Sequence, residues 1–230
     1  MSDAAVPVLA LDGPSGSGKG TIARKVAKAL GWHLLDSGAL YRLVGLAAAR
    51  AGTPLDDEAA VARLAEHLDI RFDVDDLGGE RIWLDGEDVT DDIRTEESGR
   101  LASAVAWLQT VRAALLGLQH SFRQAPGLVA DGRDMGTLVF PDAALKVFLT
   151  ATPEERARRR HKQLKDKGID VSLSALSRDI ADRDRRDSER SVAPLRPADD
   201  ARTLDSSNLT IDQVTRTVLE WVAGLQREQE

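Results

Sequence analysis

Val8-Leu9-Ala10-Leu11-Asp12-Gly13-Pro14-Ser15-Gly16-Ser17-Gly18-Lys19-Gly20-Thr21 is the stretch whose reading decides the fold. It opens with four apolar residues that have no helical spacing, which reads as a buried strand of a parallel sheet. Glycines among small residues follow, then a lysine. From Thr21 the pattern turns helical: Ile22, Ala23, Val26, Ala27 and Leu30 share one face, and Gly31 stops the helix. Strand, glycine loop, lysine and helix together make a P-loop. Glycines let several backbone N–H groups turn inward on a phosphate, and the positive end of the helix faces the same point. Lys19 is placed to reach the β- and γ-phosphates as a mobile point charge. The bland alternative, a glycine-rich turn with no ligand, explains neither the lysine nor both flanking elements.

The motif departs from its commonest form. G-x-x-x-x-G-K is usually followed directly by Ser or Thr. Here Gly20 takes that place and the hydroxyl comes at Thr21. A G-K-G-T ending resembles nucleoside and nucleotide monophosphate kinases more than GTPases or motor ATPases.

The chain has 230 residues, enough for one large core or a core with insertions. Hydrophobic residues make up 42% and charged residues 30%, which indicates a globular protein and not a disordered one. No run of apolar residues is long enough for a membrane span, so no membrane partner is expected. The start, Met1-Ser2-Asp3-Ala4-Ala5-Val6-Pro7, lacks the basic end and apolar core of a signal peptide. Cysteine is absent, which excludes disulfides and thiolate metal sites, and a cytoplasmic location is expected. The net charge of −7 argues against a general nucleic-acid binder. Yet residues 154–190 hold nine Arg and three Lys against nine acids, a local balance of +3. A basic segment on an acidic protein points to a small anionic ligand held locally.

Outward from the P-loop, His33-Leu34-Leu35-Asp36 reads as a second strand, and Ala39 to Ala51 as a helix with Tyr41 and Arg42 on its first turn. A helix opening at the carboxyl end of a strand is where α/β proteins bind ligands; Tyr41 can equally be an ordinary half-buried aromatic. Asp56 to His67 reads as a helix. Ile70 to Val74 alternates apolar and polar, as does Ile82-Trp83-Leu84 less cleanly. With Gly78-Gly79 and Asp85-Gly86 as turns, this predicts short antiparallel strands. Ile93 to about Leu118 reads as one long helical stretch carrying Ser103 and Arg112, ended by Pro126-Gly127. Leu128-Val129-Ala130-Asp131 is a third core strand ending in an acid, and Gly132-Arg133-Asp134-Met135-Gly136-Thr137 follows. Such a strand after a P-loop points to a carboxylate near a nucleotide's magnesium, or else to a capping Asp beside a local Arg133–Asp134 ion pair.

Leu145 to Leu149 is a fourth strand, and Thr152-Pro153-Glu154-Glu155 a capping box that opens a very basic helix. A second polar helix runs from about Ser172 to Arg190. Two helices this polar cannot both be core, and they read as an exposed arm or lid. Arg183, Asp187 and Arg190 share one face of the second. That face either grips a ribose hydroxyl and a phosphate or is a surface salt-bridge ladder. Arg202 to Asp205 is the last strand, and Thr210 or Asp212 caps a final helix.

Four segments carry a wider resemblance: Asp12 to Thr21, Leu35-Asp-Ser-Gly-Ala-Leu-Tyr-Arg42, Ala130-Asp-Gly-Arg-Asp-Met-Gly-Thr137, and Arg183-Asp-Arg-Arg-Asp187 through Val192-Ala-Pro-Leu195. In order and spacing they resemble the bacterial cytidylate (CMP) kinases along essentially the whole chain. The resemblance implies a P-loop three-layer α/β/α fold with a five-stranded parallel sheet, a small antiparallel β insertion and a helical lid. It implies a core of residues 1–64, 128–152 and 191–230, a CMP-binding insertion over 65–127 and an arginine-rich lid over 153–190. It implies phosphoryl transfer from ATP to CMP or dCMP with Mg2+, in a protein that is commonly a monomer. ATP is then held by Gly13, Pro14, Ser15, Gly16, Ser17, Gly18, Lys19, Gly20 and Thr21, with Arg156 and Arg160 from the lid. The base meets Ser103, Arg112 and Asp134, and the ribose meets Arg183 and Asp187. The monophosphate is clamped by Arg42, Arg133 and Arg190 near Ser37, Tyr41 and Asp131. Lys19, Arg42, Arg133 and Arg190 carry the catalytic charge. Thr21 and Asp131 are the candidate magnesium ligands, directly or through water.

The chemistry of the residues agrees. Cytosine presents an amino donor beside ring acceptors, so a carboxylate can accept from the amino group and an arginine can donate to the ring. Uracil reverses part of that pattern. Joining two phosphates calls for several cations and exclusion of water. The nearest rival is a kinase for UMP or AMP. A GTPase is disfavoured because an Asn-Lys-x-Asp motif is absent: Asn208, the only asparagine, is followed by Leu209.

Overall fold

A computed structural model describes residues 6–74, 80–166 and 168–228. The expected Gly78-Gly79 turn, Lys167 and the first five residues lie outside that set. The described elements begin with strand β1 (Val8–Asp12), helix α1 (Lys19–Leu30), strand β2 (His33–Asp36), helix α2 (Ser37–Arg50) and helix α3 (Glu58–His67). Strands β3 (Ile70–Val74), β4 (Glu80–Leu84) and β5 (Glu87–Asp88) follow, then helices α4 (Glu96–Val105) and α5 (Gln109–Ser121). The chain continues through β6 (Leu128–Gly132), β7 (Leu145–Thr150), α6 (Pro153–Asp166), α7 (Leu173–Ser188), β8 (Arg202–Asp205) and α8 (Ile211–Glu228). By contacts it forms two compact units, one of residues 1–36 and 121–230 and the other of residues 37–120.

The first unit holds the expected five-stranded sheet, in the order β2-β6-β1-β7-β8 with every pairing parallel. Alternate residues of β1 go to opposite faces, and all of them are buried, as a sheet covered on both sides requires. On one face Leu9, Leu11, Val129 and Val147 meet Ile22, Ala23 and Val26 of α1 and Val214, Val218 and Val222 of α8. The register puts Asp36 opposite Asp131 and Asp12 opposite Gly132. Three carboxylates therefore end neighbouring strands at the edge where α/β sheets bind ligands. Helix α1 stops at Gly31, whose positive φ of 65° suits glycine and whose N–H reaches the Ala27 and Lys28 carbonyls.

The second unit packs α2 on the antiparallel sheet β3-β4-β5. Ala39, Leu43 and Ala47 meet Ile82, Leu84, Val89 and Ile93 in its core. The single long helix expected from Ile93 onward is broken here. A 3₁₀ turn at Asp92–Arg94 precedes α4, and α4 meets α5 at a 103° bend. Tight bonds from Trp107 N to Ala104 O (3.2 Å) and from Leu108 N to Val105 O (3.1 Å) close the corner. The Thr110 N–H and hydroxyl then donate to the Glu58 carboxylate, pinning the start of α5 to α3. An apolar spacing that runs on through a corner cannot reveal it, because both helices bury the same kind of face. Among the described residues, no single helix is long and apolar enough to cross a membrane.

Candidate active site

The glycine loop is built by close approach. Gly13 has φ 146°, and a Cβ there would lie 2.0 Å from the Leu149 carbonyl oxygen of β7, so only glycine fits. Gly18 caps α1 from the left-handed region at φ 97°, and its carbonyl accepts from Thr21 N and Ile22 N, both at 3.1 Å. The first N–H groups of α1 thereby stay aimed at the loop.

Lys19 is buried, and its Nζ donates to the Pro14 carbonyl at 2.9 Å. Burial pushes the ammonium below its usual range, and Arg133 and Arg183 push the same way against Asp131 and Asp12. Asp131 moves oppositely, because burial raises it more than Lys19 lowers it. A Cβ at Gly20 would stand 3.3 Å from the Asp131 carboxylate. The missing hydroxyl after the lysine is thus matched by room for an acid. Among the described residues no group of three metal-ligating side chains occurs. The Asp131 carboxylate beside the loop is the kind of donor that suits Mg2+, which keeps several waters and uses one or two carboxylates plus substrate phosphates.

Beyond β6, Asp187 is buried and accepts from Arg133 Nε at 3.1 Å while also pairing with Arg190. Burial raises its carboxyl, but Arg133, Arg190 and Arg183 more than offset this and hold it below the usual carboxylate range. Helix α7 ends at Ser188, short of the expected Arg190, and Asp187 forms with Arg133 and Arg190 an organised arginine–carboxylate cluster and not an exposed ladder.

Arg156 and Arg160 fall in different places. The Arg156 guanidinium is buried, donating to the Ala151 and Ser15 carbonyls and to both oxygens of Asp184. Arg160 lines a cavity of about 520 Å³ with Gly16, Ser17, Gly18 and Thr21. Arg159 and Ser206 line it too, and the sequence reading passed over both. Arg159 donates to Ser17 O (3.1 Å), Ser206 Oγ (3.0 Å) and Ser206 O (2.5 Å). One signal was available for Ser206, which lies directly beyond the carboxyl end of the last strand.

Of the remaining predicted residues, Asp134 follows β6 in the first unit, and Ser37, Tyr41, Arg42, Ser103 and Arg112 lie in the second. Ser37 opens α2 and accepts from the buried Gln119 Nε2 at 3.1 Å. Arg42 donates to the Ile93 carbonyl at 2.7 Å and the Thr95 carbonyl at 3.2 Å. The Arg112 guanidinium lies 5.7 Å from the centre of the Tyr41 ring, so the break between α4 and α5 does not separate Arg112 from α2. Ser103 Oγ is buried and has no hydrogen-bond partner among the described residues. A buried hydroxyl left unpaired is rare in a folded core and marks a candidate ligand contact.

A parallel sheet with a glycine loop, a buried lysine and an acid at the next strand's end defines a P-loop phosphoryl-transfer protein. Comparison with known proteins narrows the class. The family model for cytidylate kinase matches residues 9–224. A cytidylate kinase of Pseudomonas paraeruginosa is 62% identical over 94% of this chain and 95% of its own length. One of Cupriavidus necator is 59% identical over 96% of this chain and 97% of its own. A solved structure of an uncharacterized protein from Eubacterium ventriosum has TM-score 0.53 at 12% identity, covering 95% of this chain and 99% of that one, a likeness of fold alone. The chain belongs to the cytidylate kinase family.

Proposed function

We propose that the chain transfers the γ-phosphoryl group of ATP to CMP or dCMP, giving ADP and CDP or dCDP. The observation that carries this is a P-loop in a chain 62% identical to a cytidylate kinase over nearly its full length. A CMP phosphate oxygen forms the new bond to the γ-phosphorus as the bond to the ATP β,γ-bridging oxygen breaks. The attacking oxygen is already anionic, so no general base is needed. Catalysis is then positioning and charge stabilisation.

Gly13 to Thr21 cradle the ATP phosphates, and Lys19 follows the transferred group. The cavity beside Arg159, Arg160 and Ser206 takes the rest of the nucleotide. Arg42, Arg133 and Arg190 neutralise the phosphates, while Arg183 and Asp187 meet the ribose. Ser103, Arg112 and Asp134 read cytosine, Asp134 accepting from the amino group. Thr21 and Asp131 would hold Mg2+, directly or through water, and the ion would supply positive charge to stabilise the transferring phosphoryl group. The helices α6 and α7 act as a lid. Slower hydrogen exchange over residues 153–190 with ATP plus CMP is the expected sign of closure, and unchanged exchange would remove the lid. The protein acts as a cytoplasmic monomer, for which sedimentation at working concentration gives a single small species. A coupled ADP-release assay tests the reaction. Turnover should require both MgATP and CMP, and ADP release independent of CMP would point to an ATPase or regulatory role.

A further inference from the structure

Asp12 is the last residue of β1 and stands directly before Gly13, so by position it belongs to the loop that holds ATP. Its hydrogen bonds lead elsewhere. The carboxylate is buried, with Oδ1 accepting from Met135 N at 2.9 Å and Oδ2 from Gly136 N at 2.8 Å. Those two amides open a short π-helical turn, Met135–Val139, immediately after Arg133 and Asp134. The first N–H groups of such a turn have no partner within it. The residue in the capping position is Asp134, a residue type that ordinarily does this work. Here Asp134 makes no capping hydrogen bond. The cap is supplied from another strand, by Asp12.

We propose that Asp12 is a positioning residue for recognition of the acceptor base. By capping the turn in place of Asp134, it keeps the Asp134 carboxylate from closing onto its own backbone and fixes where Arg133 and Asp134 stand. This rests on the reading of those two residues as CMP contacts. The device works only with a carboxylate, because both oxygens meet N–H donors and an amide would turn its own donor toward one of them. Gly136 belongs to the same arrangement. A Cβ there would lie 3.1 Å from the Lys146 stem and 3.4 Å from Asp12 Oδ2, so an added methyl crowds the cap and the lysine beside it.

The test compares wild type, Asp12→Asn and Gly136→Ala in steady-state kinetics, with CMP or UMP as acceptor and MgATP as donor. The expected result in both variants is a KM for CMP raised roughly tenfold or more, as for loss of a hydrogen bond to a charged group. The KM for ATP should stay within about twofold of wild type, and the preference for CMP over UMP should fall. A role confined to shaping the ATP loop would raise the KM for ATP as much as that for CMP and leave the preference intact. That outcome, or an unchanged KM for CMP, overturns the proposal. Should Asp12→Asn not fold, Gly136→Ala decides alone, since it keeps the carboxylate and crowds the contact between cap and turn. Wild type without CMP turnover would instead remove the underlying reading of the acceptor.

Discussion

Lys19 was legible from its place in the motif, but its electrostatic state was not. In the free protein it is buried near Arg133 and Arg183, which makes its charged form costly. The sign follows directly. A lysine lowered by burial and by cations is partly deprotonated at mildly alkaline pH, and triphosphate anions beside it favour the ammonium. ATP binding near pH 8 should therefore take up protons. Titration calorimetry in two buffers of different ionisation enthalpy measures this, and zero uptake or net release would contradict it. Gly20 is the second informative residue. Its reading as a departure from the usual motif gains a physical reason in the approach of Asp131. Gly20→Ser should push that carboxylate aside and raise the Mg2+ concentration for half-maximal activity severalfold, with thermal stability little changed. An unchanged magnesium requirement would take Asp131 out of the metal site. Arg159 and Ser206 escaped sequence reading because they meet the P-loop only after β8 has returned beside β7.

Among the elements, the strands and most helices were readable because apolar period and capping residues agree with one another. The cap at Thr210 is a full box: Gln213 N donates to Thr210 Oγ1 and Thr210 N to Gln213 Oε1. At Thr152 only half of the box forms. Glu155 N donates to Thr152 Oγ1, but Thr152 N goes to Ser207, and the Glu155 side chain pairs with Arg158 and Arg159. The basic residues of α6 thus changed what the motif does while leaving its position intact. The same helix is tied to α7 by the bidentate Arg156–Asp184 pair, with side chains 4% and 25% exposed. Removing one partner leaves the other's charge uncompensated, though the solvent access of Asp184 softens the loss. Asp184→Asn should cost about 2 kcal/mol, a fall of roughly 4–8 °C in melting temperature. A change under about 1 °C would show the pair to be immaterial to stability.

At the scale of the whole molecule, α2 is the instructive case. It follows β2 without a loop, which reads as the next helix of a βαβ core. Its apolar face instead packs on the small antiparallel sheet, and the second compact unit accordingly begins at Ser37. Sequence continuity shows that a helix forms but not which core takes its apolar face. Most acceptor-site residues were legible for a different reason: apart from Ser103 and Arg112, they lie in segments shared with a known family, and spacing alone did not connect them. The proposed reaction is phosphorylation of cytidylate selected by its cytosine edge. Its most direct test is the ratio of kcat/KM for CMP to that for UMP under saturating MgATP. Buried donor–acceptor pairing predicts a ratio of roughly 100 or more, with dCMP on the CMP side. Equal values for CMP and UMP would contradict the account, leaving a P-loop kinase whose acceptor is not chosen by Asp134 and Arg112.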